Sequence, residues 1–381
     1  MEGETIQDLL SKRYSDRLIP NTVIHLTEGA IGIFGNIIVL VMYSRYIADK
    51  NGTRYFIPVL AVVNLMGCLS NVVQFQLDNT MRYTYPDVHL CKTLFFLMIM
   101  SGGLSAHLIF AISLQRYLMI CRPFGQQMTR KYCRLAFVIF VLFSFGYAAP
   151  VLKFGGFNEI KIWLKRKSGN VNRTFSFTIG SCHFDDGSHG PRVMVPYFGT
   201  LLVLSFINII ATSGLYIPVT KTIYRTLSSN KNHGNRVSRM LDGDTPISSK
   251  DTHSTSVEKI KMSEIPQQSQ NTKSKCSGTE IKAGPGIKSA LQETDREQKA
   301  RKRISVMFLI IIIVYVVSYL TSLATQVYEF LSTERMSGYR LHIRMFCLRL
   351  NLLNHIANPY IYWFYDVKFR KELQKLCCKR H

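Results

Sequence analysis

The sequence has 381 residues, of which 47% are hydrophobic and 19% are charged. The hydrophobic residues fall in long runs, and several runs approach the ~20 residues that a helix needs to cross about 30 Å of hydrocarbon. Helices of soluble proteins rarely remain apolar on all faces over such a length. The composition therefore argues against a soluble multidomain protein and predicts a chain that lies mostly in a membrane.

The net charge is +23, which by itself could indicate a nucleic-acid partner. The basic residues, however, collect at the ends of the apolar runs and in one long polar segment, without interleaved aromatic residues. This distribution is typical of contact with anionic lipid headgroups at the cytoplasmic face. We therefore expect the basic residues to meet membrane lipid and not nucleic acid.

Seven apolar runs follow one another, and Arg344 and Arg349 interrupt the outer half of the seventh. The runs span Val23–Tyr46, Phe56–Leu77, His89–Cys121, Tyr132–Leu152, Val193–Leu227, Ile304–Leu331 and Leu341–Phe364. The pattern predicts an all-α membrane protein with a bundle of seven transmembrane helices. Helices one to five are expected within residues 23–227, and helices six and seven within residues 299–364.

The remaining segments are polar. Residues 1–22 lack the apolar core of a cleavable signal peptide and are predicted to form a tail, so the first run would act as the insertion signal. Residues 228–298 are predicted to be disordered, because they cannot bury enough apolar area to offset the entropy of ordering. Within residues 365–381, the basic stretch Asp366–Leu376 is predicted to form a short amphipathic eighth helix before a tail.

The basic residues also predict the orientation of the chain. They follow the first, third and seventh runs and fill the segment between the fifth and sixth. By the positive-inside rule this places residues 1–22 outside and residues 228–298 in the third cytoplasmic loop. The segment of residues 155–191 is basic too. It nevertheless contains Asn172-Arg173-Thr174, a glycosylation pattern that is used only in the secretory lumen. We therefore place this segment outside as well, in a multi-pass protein of the plasma membrane.

Short motifs recur at fixed places in these runs. They are Gly35-Asn36 in the first, Leu60 to Asn64 in the second, Cys91 and Gln115-Arg116-Tyr117 in the third, Asn358-Pro359-Tyr360-Ile361-Tyr362 in the seventh, and Cys377-Cys378 after the eighth. With these motifs the chain resembles the rhodopsin-like G-protein-coupled receptors over about Val23 to Cys378. The resemblance implies an extracellular ligand, a heterotrimeric G protein, and regulation by receptor kinases and arrestin.

Several positions depart from the family's pattern. Gln115 and Asn64 stand where the family carries acids, Asn208 where the fifth helix carries Pro, and the segment 318–321 where the sixth carries Cys-Trp-x-Pro. The fourth run has no Trp. These departures leave the fold prediction unchanged, because a helix needs neither Pro nor Trp to span a membrane.

The resemblance implies that Arg116 packs inward when the receptor is off and meets the G protein when it is on. The alternative is an arginine that extends its charge to the membrane edge. Gln115 offers Arg116 only a neutral hydrogen bond, which is weaker than an ion-paired one, so we predict a looser inactive state with raised basal signalling.

Aromatic residues are expected to take part in switching. The resemblance implies that Tyr216 and Tyr362 rearrange near Arg116, and that Pro359 permits a kink in the seventh helix. Tyr315 and Tyr319, one turn apart in the sixth run, resemble the family's aromatic switch. Ordinary core packing remains the alternative for these tyrosines.

Five polar residues lie within apolar runs, and they are Asn36, Asn64, Ser105, Asn354 and Asn358. They could serve as hydrogen-bonding contacts between helices, worth about 1 kcal/mol or less each. In the family the equivalent cluster holds water and a sodium ion. Because Asn64 lacks the carboxylate that a hard cation prefers, we predict a hydrated network without useful sodium affinity. No metal or cofactor is therefore expected.

Covalent features are implied at three places. A disulfide would join Cys91 to Cys182, in keeping with an oxidising compartment. Asn172 would carry a glycan. Cys377 and Cys378 follow a basic amphipathic stretch, which is the usual setting for palmitoylation, although they could also remain unmodified.

The ligand class is inferred by elimination. Leu352 stands where an opsin carries its Schiff-base Lys, and Met98 stands where a monoamine receptor carries Asp. Alternation in residues 174–178 predicts half of a β-hairpin over the mouth, which suits a peptide ligand, and a neuropeptide receptor is the predicted class. The pocket candidates are Gln74, Met98, Gln326, Arg344 and Leu348.

Other functions stay open at this point. Within the same fold, the chain could bind a non-peptide ligand or couple only weakly. A transporter should show internal repeats and broken helices, which we do not find. An intramembrane enzyme needs a paired constellation, and His107 and His355 have no acidic neighbour at helical spacing. We therefore do not expect an enzyme.

Overall fold

The structure is a computed structural model of the chain. It describes the backbone of residues 2–47, 52, 54–154, 157–168, 171–182, 190–241, 285–331 and 338–378. Residues 1–223 together with 301–381 form one compact unit, and residues 224–300 form a second. All the sites described below lie in the first unit.

The described residues form ten α-helices and one β-hairpin. The helices are α1 (Glu2–Val41), α2 (Phe56–Thr80), α3 (Val88–Cys121), α4 (Arg130–Ala148), α5 (Pro150–Phe154), α6 (Gly190–Leu241), α7 (Pro285–Leu331), α8 (Tyr339–Leu348), α9 (Leu352–Tyr365) and α10 (Val367–Cys378). A short π-helical turn, Met42–Tyr46, continues α1, and the strands are β1 (Phe157–Ser168) and β2 (Val171–Cys182).

Six helical segments in the described part of the chain are long and apolar enough to cross a membrane. They are Gln7–Tyr46, Phe56–Thr80, Val88–Cys121, Arg130–Lys153, Pro196–Arg225 and Lys302–Tyr328. The predicted seventh run is divided into α8 and α9, which are separated by a turn at residues 349–351. Arg349, which the sequence analysis identified as an interruption, lies in this turn. The predicted all-α membrane bundle is confirmed.

Three helices extend beyond their predicted runs. Helix α1 begins at Glu2 instead of Val23, because tertiary contacts stabilise its polar first half: Asn21 Nδ2 donates to the carbonyl of His342 across 3.4 Å, and Leu18 is fully buried. Helix α6 continues to Leu241, and α7 begins at Pro285, so helix occupies both ends of the segment predicted to be disordered. Residues 242–284 lie outside the described residues.

The segment between α5 and α6 contains the antiparallel hairpin. Phe157 pairs with Cys182 at one end, and Ser168 pairs with Val171 next to the turn. The predicted hairpin strand at residues 174–178 is therefore confirmed as part of β2. Because Cys182 ends β2 and is disulfide-bonded to Cys91 in α3, the hairpin is attached to the end of the bundle where α3 begins.

The main hydrophobic core contains side chains from α1, α2, α3, α6, α7 and α9. Phe308, Tyr315 and Tyr362 are among the largest fully buried side chains. Large apolar side chains also lie on outward faces, for example Leu142 in α4 and Ile210 in α6. Such exposure is unusual for a soluble helix and suits a helix whose outer face meets lipid.

Candidate signalling site

Helices α1, α2, α3 and α9 meet in a polar network at the centre of the bundle. Asn36 Nδ2 donates to the carbonyl of His355 across 2.8 Å, and Asn64 Nδ2 lies 3.5 Å from Asn36 Oδ1. Ser105 Oγ donates to Asn64 Oδ1 across 3.4 Å, while Asn354 Nδ2 donates to Ser105 Oγ across 2.9 Å. Four of the predicted polar residues are thus joined through direct side-chain contacts.

His355 is a member of this network that the sequence analysis did not assign. Its Nδ1 lies 3.0 Å from Asn64 Oδ1, and its side chain is buried. Because an amide oxygen only accepts hydrogen bonds, Nδ1 must carry the proton here. The imidazole is packed against Gly67, where an added Cβ would lie 2.7 Å from its Cε1 atom. The sequence could have indicated His355 through its position next to Asn354, a predicted network residue. It was considered only as a catalytic residue, which would need an acidic neighbour.

The segment from Asn358 to Tyr362 is helical throughout and lies within α9. Asn358 Nδ2 donates to the carbonyl of Asn354 across 3.3 Å within α9. Pro359 packs against Gly35 of α1, where an added Cβ would lie 2.9 Å from the proline ring. Among the side chains that the structure describes, no three His, Cys, Asp or Glu residues are grouped as metal ligands.

The C-terminal end of α3 is covered by residues of α7 around Phe308. Arg116 is only 2% exposed, and its guanidinium carbon lies 4.5 Å from the centroid of the Phe308 ring. Tyr216 of α6 donates its hydroxyl hydrogen to the carbonyl of Ser305. Helices α3, α6 and α7 are therefore in contact at this end, and Arg116 points inward.

Gln115 has different partners from those expected. Its Nε2 donates to the carbonyl of Gly52, in the connection between α1 and α2, across 3.1 Å, and lies 3.9 Å from Cys133 Sγ of α4. Gln115 is thus directed toward Gly52 and Cys133, whereas Arg116 lies against Phe308, because adjacent residues of a helix point in different directions. The next residue, Tyr117, is half-buried beside the main core.

Tyr362 packs against the π-helical turn that continues α1, close to the start of α10. Its ring centroid lies 5.8 Å from that of Tyr43, which in turn stacks on Phe369 of α10 at 5.7 Å. Tyr216 bonds to the Ser305 carbonyl of α7, whereas Tyr362 is part of an aromatic cluster with Tyr43 and Phe369. The rearrangement of both tyrosines near Arg116 stays a prediction. The predicted amphipathic stretch forms α10, with Phe369 buried against the bundle.

Asp366 joins three elements at this junction, and the sequence analysis did not identify it. It is 2% exposed and accepts a hydrogen bond from the Tyr43 hydroxyl across 2.6 Å. It forms an ion pair with Arg54, in the connection between α1 and α2, at 3.3 Å. Its Oδ1 also accepts from the backbone N–H of Lys368 across 2.9 Å, so the carboxylate caps the first turn of α10. Its sequence signal was an Asp directly before an amphipathic helix.

The two tyrosines of the predicted aromatic switch are in contact, with their ring centroids 4.9 Å apart. Tyr315 donates its hydroxyl hydrogen to Asn208 Oδ1 of α6 across 2.8 Å, and Tyr319 donates to the carbonyl of Gly102 in α3 across 3.0 Å. Thr321, at the position of the family's Pro, donates to the carbonyl of Val317, and α7 continues through it.

The opposite end of the bundle, where α3 begins, contains the predicted disulfide between Cys91 and Cys182. Gln74 lies beneath it and is 3% exposed: its Oε1 accepts from the Tyr85 hydroxyl across 2.9 Å, and its Nε2 lies 3.3 Å from Cys182 Sγ. Burial raises the pKa of Tyr85 to about 12, so its hydroxyl remains a donor at neutral pH. Gln74 therefore links α2 to the α2–α3 connection through Tyr85 and to the end of β2 through Cys182.

A partly buried ionic cluster lies one helical turn along α2 from Gln74. Asp78 accepts from Arg82 across 2.9 Å and from Arg349 across 2.7 Å. Arg349 also donates to Asn79 Oδ1 and lies over the ring of Phe75, which leaves it 5% exposed. The arginine that interrupts the seventh run is thus satisfied by α2.

The other pocket candidates are distributed over α3, α7 and α8. Met98 packs against the apolar cluster that includes Leu352. Arg344 and Leu348 are half-buried, whereas Gln326 is exposed on α7. The Leu348 carbonyl accepts from the Ser322 hydroxyl. Of the modification candidates, Cys377 and Cys378 are exposed at the end of α10, and Asn172 pairs with Lys167 next to the hairpin turn.

Comparison with known proteins identifies the class. The family model of the 7 transmembrane receptor (rhodopsin family) matches residues 35–362, and the chain belongs to this family. The fold is similar to the crystal structure of squid rhodopsin, with a TM-score of 0.61 at 16% identity over 96% of this chain and 85% of that one. Membership of this receptor family replaces the transporter and enzyme alternatives.

Two curated relatives carry the names of peptide receptors. The tachykinin-like peptides receptor 86C of Drosophila melanogaster is 21% identical over 353 residues, which are 91% of this chain and 56% of that receptor. The neuromedin U receptor homolog nmur-2 of Caenorhabditis elegans is 26% identical over 139 residues, or 35% of this chain and 34% of the relative. The chain thus matches less than two thirds of the length of either relative.

Proposed function

We propose that this chain is a plasma-membrane receptor that binds an extracellular peptide and activates a heterotrimeric G protein at its cytoplasmic face. The observation that carries the proposal is the inward position of Arg116 beneath Phe308, at the cytoplasmic end of a rhodopsin-family bundle. Movement of α7 away from α3 would uncover a cation that a partner protein can bind. The names of the curated relatives support a peptide as the ligand class.

The ligand is proposed to enter between the hairpin and the outer ends of α3, α7 and α8. Met98, Arg344, Leu348 and Gln326 remain the proposed contacts. Gln74 is assigned instead to the support of this mouth, because both ends of its amide already have partners. The hairpin reaches over the bundle from the disulfide and suits a lid for a peptide.

Several further features complete the proposal. Residues 1–22 and the hairpin face outside, and Asn172 carries a glycan. Cys377 and Cys378 carry palmitate, which anchors α10 to lipid together with its basic residues. Receptor kinases and arrestin act at the cytoplasmic face, as is expected for the family.

A second candidate function is a receptor of this family that couples weakly. The observation that favours it is the continuous helix at Thr321, since the family's Pro is the usual source of a bend in the sixth helix. A shallower movement of α7 would uncover less of Arg116.

The test measures calcium and cyclic AMP in cells that express the chain and are challenged with a pooled peptide library. We expect a peptide response that is lost in Arg116→Ala at equal surface expression. Arg122→Ala is the matched control, because Arg122 is exposed at the end of the same helix and should leave the response intact. A response that survives in Arg116→Ala, or no response to any peptide, would overturn the proposal.

A further inference from the structure

The first half of helix α1 extends beyond the bundle and packs on the connection between α2 and α3. The 40 residues of the helix span about 60 Å, twice the roughly 30 Å of hydrocarbon. The Ser11 hydroxyl lies 3.4 Å from that of Thr84, and the rings of Tyr14 and Tyr83 meet edge to face with their centroids 6.0 Å apart. Residues 7–22, the α1 extension, therefore lie against the mouth where α3 begins.

The α1 extension also orients an arginine of this connection. The guanidinium carbon of Arg82 lies 5.0 Å from the centroid of the Tyr14 ring, an arrangement in which the ring face attracts the cation. Arg82 Nη1 donates to Asp78 Oδ1 across 2.9 Å, and 19% of the Arg82 side chain remains exposed. Arg82 is thus held by two partners while part of its side chain stays accessible.

Positive charge gathers around the carboxylate of Asp78. Two guanidiniums share this carboxylate, since Arg349 Nη2 donates to its Oδ2 across 2.7 Å while Arg82 occupies Oδ1. A third guanidinium, that of Arg344 in α8, lies close enough to Arg82 for their like charges to repel. Water screens such repulsion less in a partly buried cluster than at an open surface.

The acids that the structure describes near this end do not restore the balance. The ion pairs that the described side chains form with Arg82 and Arg349 both end on Asp78. Asp87 instead caps the start of α3, where it accepts from a backbone N–H across 2.8 Å. The described acids of α1 are Asp8 and Asp16, which are exposed, and Glu28, which pairs within its own helix. A further anion beside Arg82 would therefore be stabilised.

We propose that Arg82 and Arg344 form a subsite for a carboxylate of an acidic peptide ligand, with Tyr14 as the residue that positions Arg82. A carboxylate between the two arginines relieves their repulsion, and a guanidinium matches it with two parallel hydrogen bonds. The carboxylate belongs either to an Asp or Glu side chain or to a free C-terminus. The subsite rests on the proposed function for the peptide, whereas the gathered positive charge is a property of the folded chain.

A peptide is favoured over a lipid headgroup at this end. Anionic lipids concentrate in the cytoplasmic leaflet, and the disulfide-linked end of the bundle is proposed to face outside. The two sources of negative charge are distinguished by the lipid used in the first experiment.

The first experiment tests the positive charge without a ligand, in purified full-length receptor in phosphatidylcholine nanodiscs. Tyr14→Glu and Tyr14→Gln both remove the ring, and they differ in charge alone. We expect the thermal unfolding midpoint of Tyr14→Glu to exceed that of Tyr14→Gln by about 2 °C, and the difference to disappear when Arg82→Gln is added. Ile19→Glu and Ile19→Gln are the matched controls, because Ile19 is exposed on the same extension, and their midpoints should be equal.

Two results of this experiment would overturn the inference whatever the signalling result. One is an equal midpoint for the two Tyr14 variants, which would show that no carboxylate is attracted to this place. The other is a difference that phosphatidylglycerol in the nanodiscs abolishes, which would assign the site to a lipid headgroup.

The second experiment uses a peptide from the pooled library that activates the receptor. Its Asp and Glu residues are replaced one at a time by Asn and Gln, and its C-terminal carboxylate by an amide, which distinguishes the two sources of the carboxylate. We expect one replacement to raise the half-maximal concentration about tenfold, which corresponds to about 1.4 kcal/mol, and by about twofold or less in Arg82→Gln, where the pair is already lost. Arg340→Gln, at an exposed position of α8, is the matched control and should retain the tenfold effect.

The outcomes separate the subsite from the proposed function. An active peptide that tolerates every replacement would overturn the subsite and leave the peptide receptor intact. A response to no peptide, with the midpoint difference of the Tyr14 variants present, would overturn the peptide receptor and leave the anion-binding arginines in place.

Discussion

At Gly67, backbone and imidazole approach too closely for any side chain. An added Cβ would lie 2.7 and 2.8 Å from the ring atoms of His355, and this ring is held in place by Asn64. Glycine normally weakens a helix interior relative to alanine, so its presence in α2 is explained by this contact. The polar network therefore depends on one residue that has no polar group.

We expect Gly67→Ala to destabilise the receptor by about 1–3 kcal/mol, because the imidazole must shift and lose its bond to Asn64. The measurement is the thermal unfolding midpoint of the purified protein. Gly146→Ala is the control, since nothing lies within 4 Å of its added Cβ and α4 gains a better helix former. Equal midpoints for the two variants would contradict the role given to Gly67.

The same network predicts indifference to sodium. Its members are amides, a hydroxyl and an imidazole, and Asn64 takes the place of the family's acid. Because a hard cation prefers carboxylate oxygen, we expect the same unfolding midpoint in sodium and potassium chloride at equal ionic strength. A higher midpoint in sodium that disappears in Asn64→Ala would refute this.

At the scale of elements, the connection between α1 and α2 contacts both α3 and the start of α10. Gly52 accepts from Gln115 of α3, and Arg54 pairs with Asp366 at the start of α10. The amide of Gln115 makes this contact as a donor, which a carboxylate could not do. Gln115, which stands where the family carries an acid, thus makes a contact that the acid could not make. Raised basal signalling stays a prediction.

We expect Gln115→Glu to cost about 1–3 kcal/mol in stability, because a buried carboxylate would face the Gly52 carbonyl without a donor. Thermal unfolding is again the measurement. Gln126→Glu serves as the control: Gln126 is exposed, and a carboxylate there can accept from the Tyr132 hydroxyl. A Gln115→Glu variant as stable as the wild type would show that the loop contact contributes nothing.

Asp366→Ala should lower the stability more than Gln115→Glu does. It removes the cap of α10, the Tyr43 contact and the partner of Arg54, and breaking a buried ion pair costs about 3–5 kcal/mol. Surface expression and the unfolding midpoint should both fall. Glu372→Ala removes an exposed pair with Lys375 in the same helix and should change neither. Similar losses in both variants would argue against a special role for Asp366.

At the scale of the whole molecule, the orientation of the bundle can be tested through its two glycosylation patterns. Asn172 lies on the hairpin attached to Cys91, while Asn51-Gly52-Thr53 falls in the loop that contacts α10. We expect Asn172→Gln to abolish an endoglycosidase-sensitive shift in gel mobility and Asn51→Gln to leave it unchanged, since only the lumenal side is glycosylated. A shift lost in Asn51→Gln instead would invert the proposed orientation.

Sequence and structure agree best where the physics is local. Six apolar runs became helices near their predicted positions, because the cost of an unpaired backbone in hydrocarbon requires a helix wherever a long apolar run crosses it. The seventh run was predicted to be interrupted by Arg344 and Arg349. It divides at Arg349, whose side chain forms an ion pair with Asp78. The polar first half of α1 carried no comparable signal, because its helix depends on contacts with distant residues such as His342.

The sequence by itself determined the membrane class, the order of the helices, the covalent link between Cys91 and Cys182, and four residues of the polar network, but not His355. Only the tertiary structure decided the partners of Gln115, Asn208 and Asp366, each of which bonds to a different segment of the chain. The physical reason is that hydrophobicity and helical period act within a segment, whereas a buried polar side chain is satisfied by whichever groups the packed neighbouring helices bring within about 3 Å.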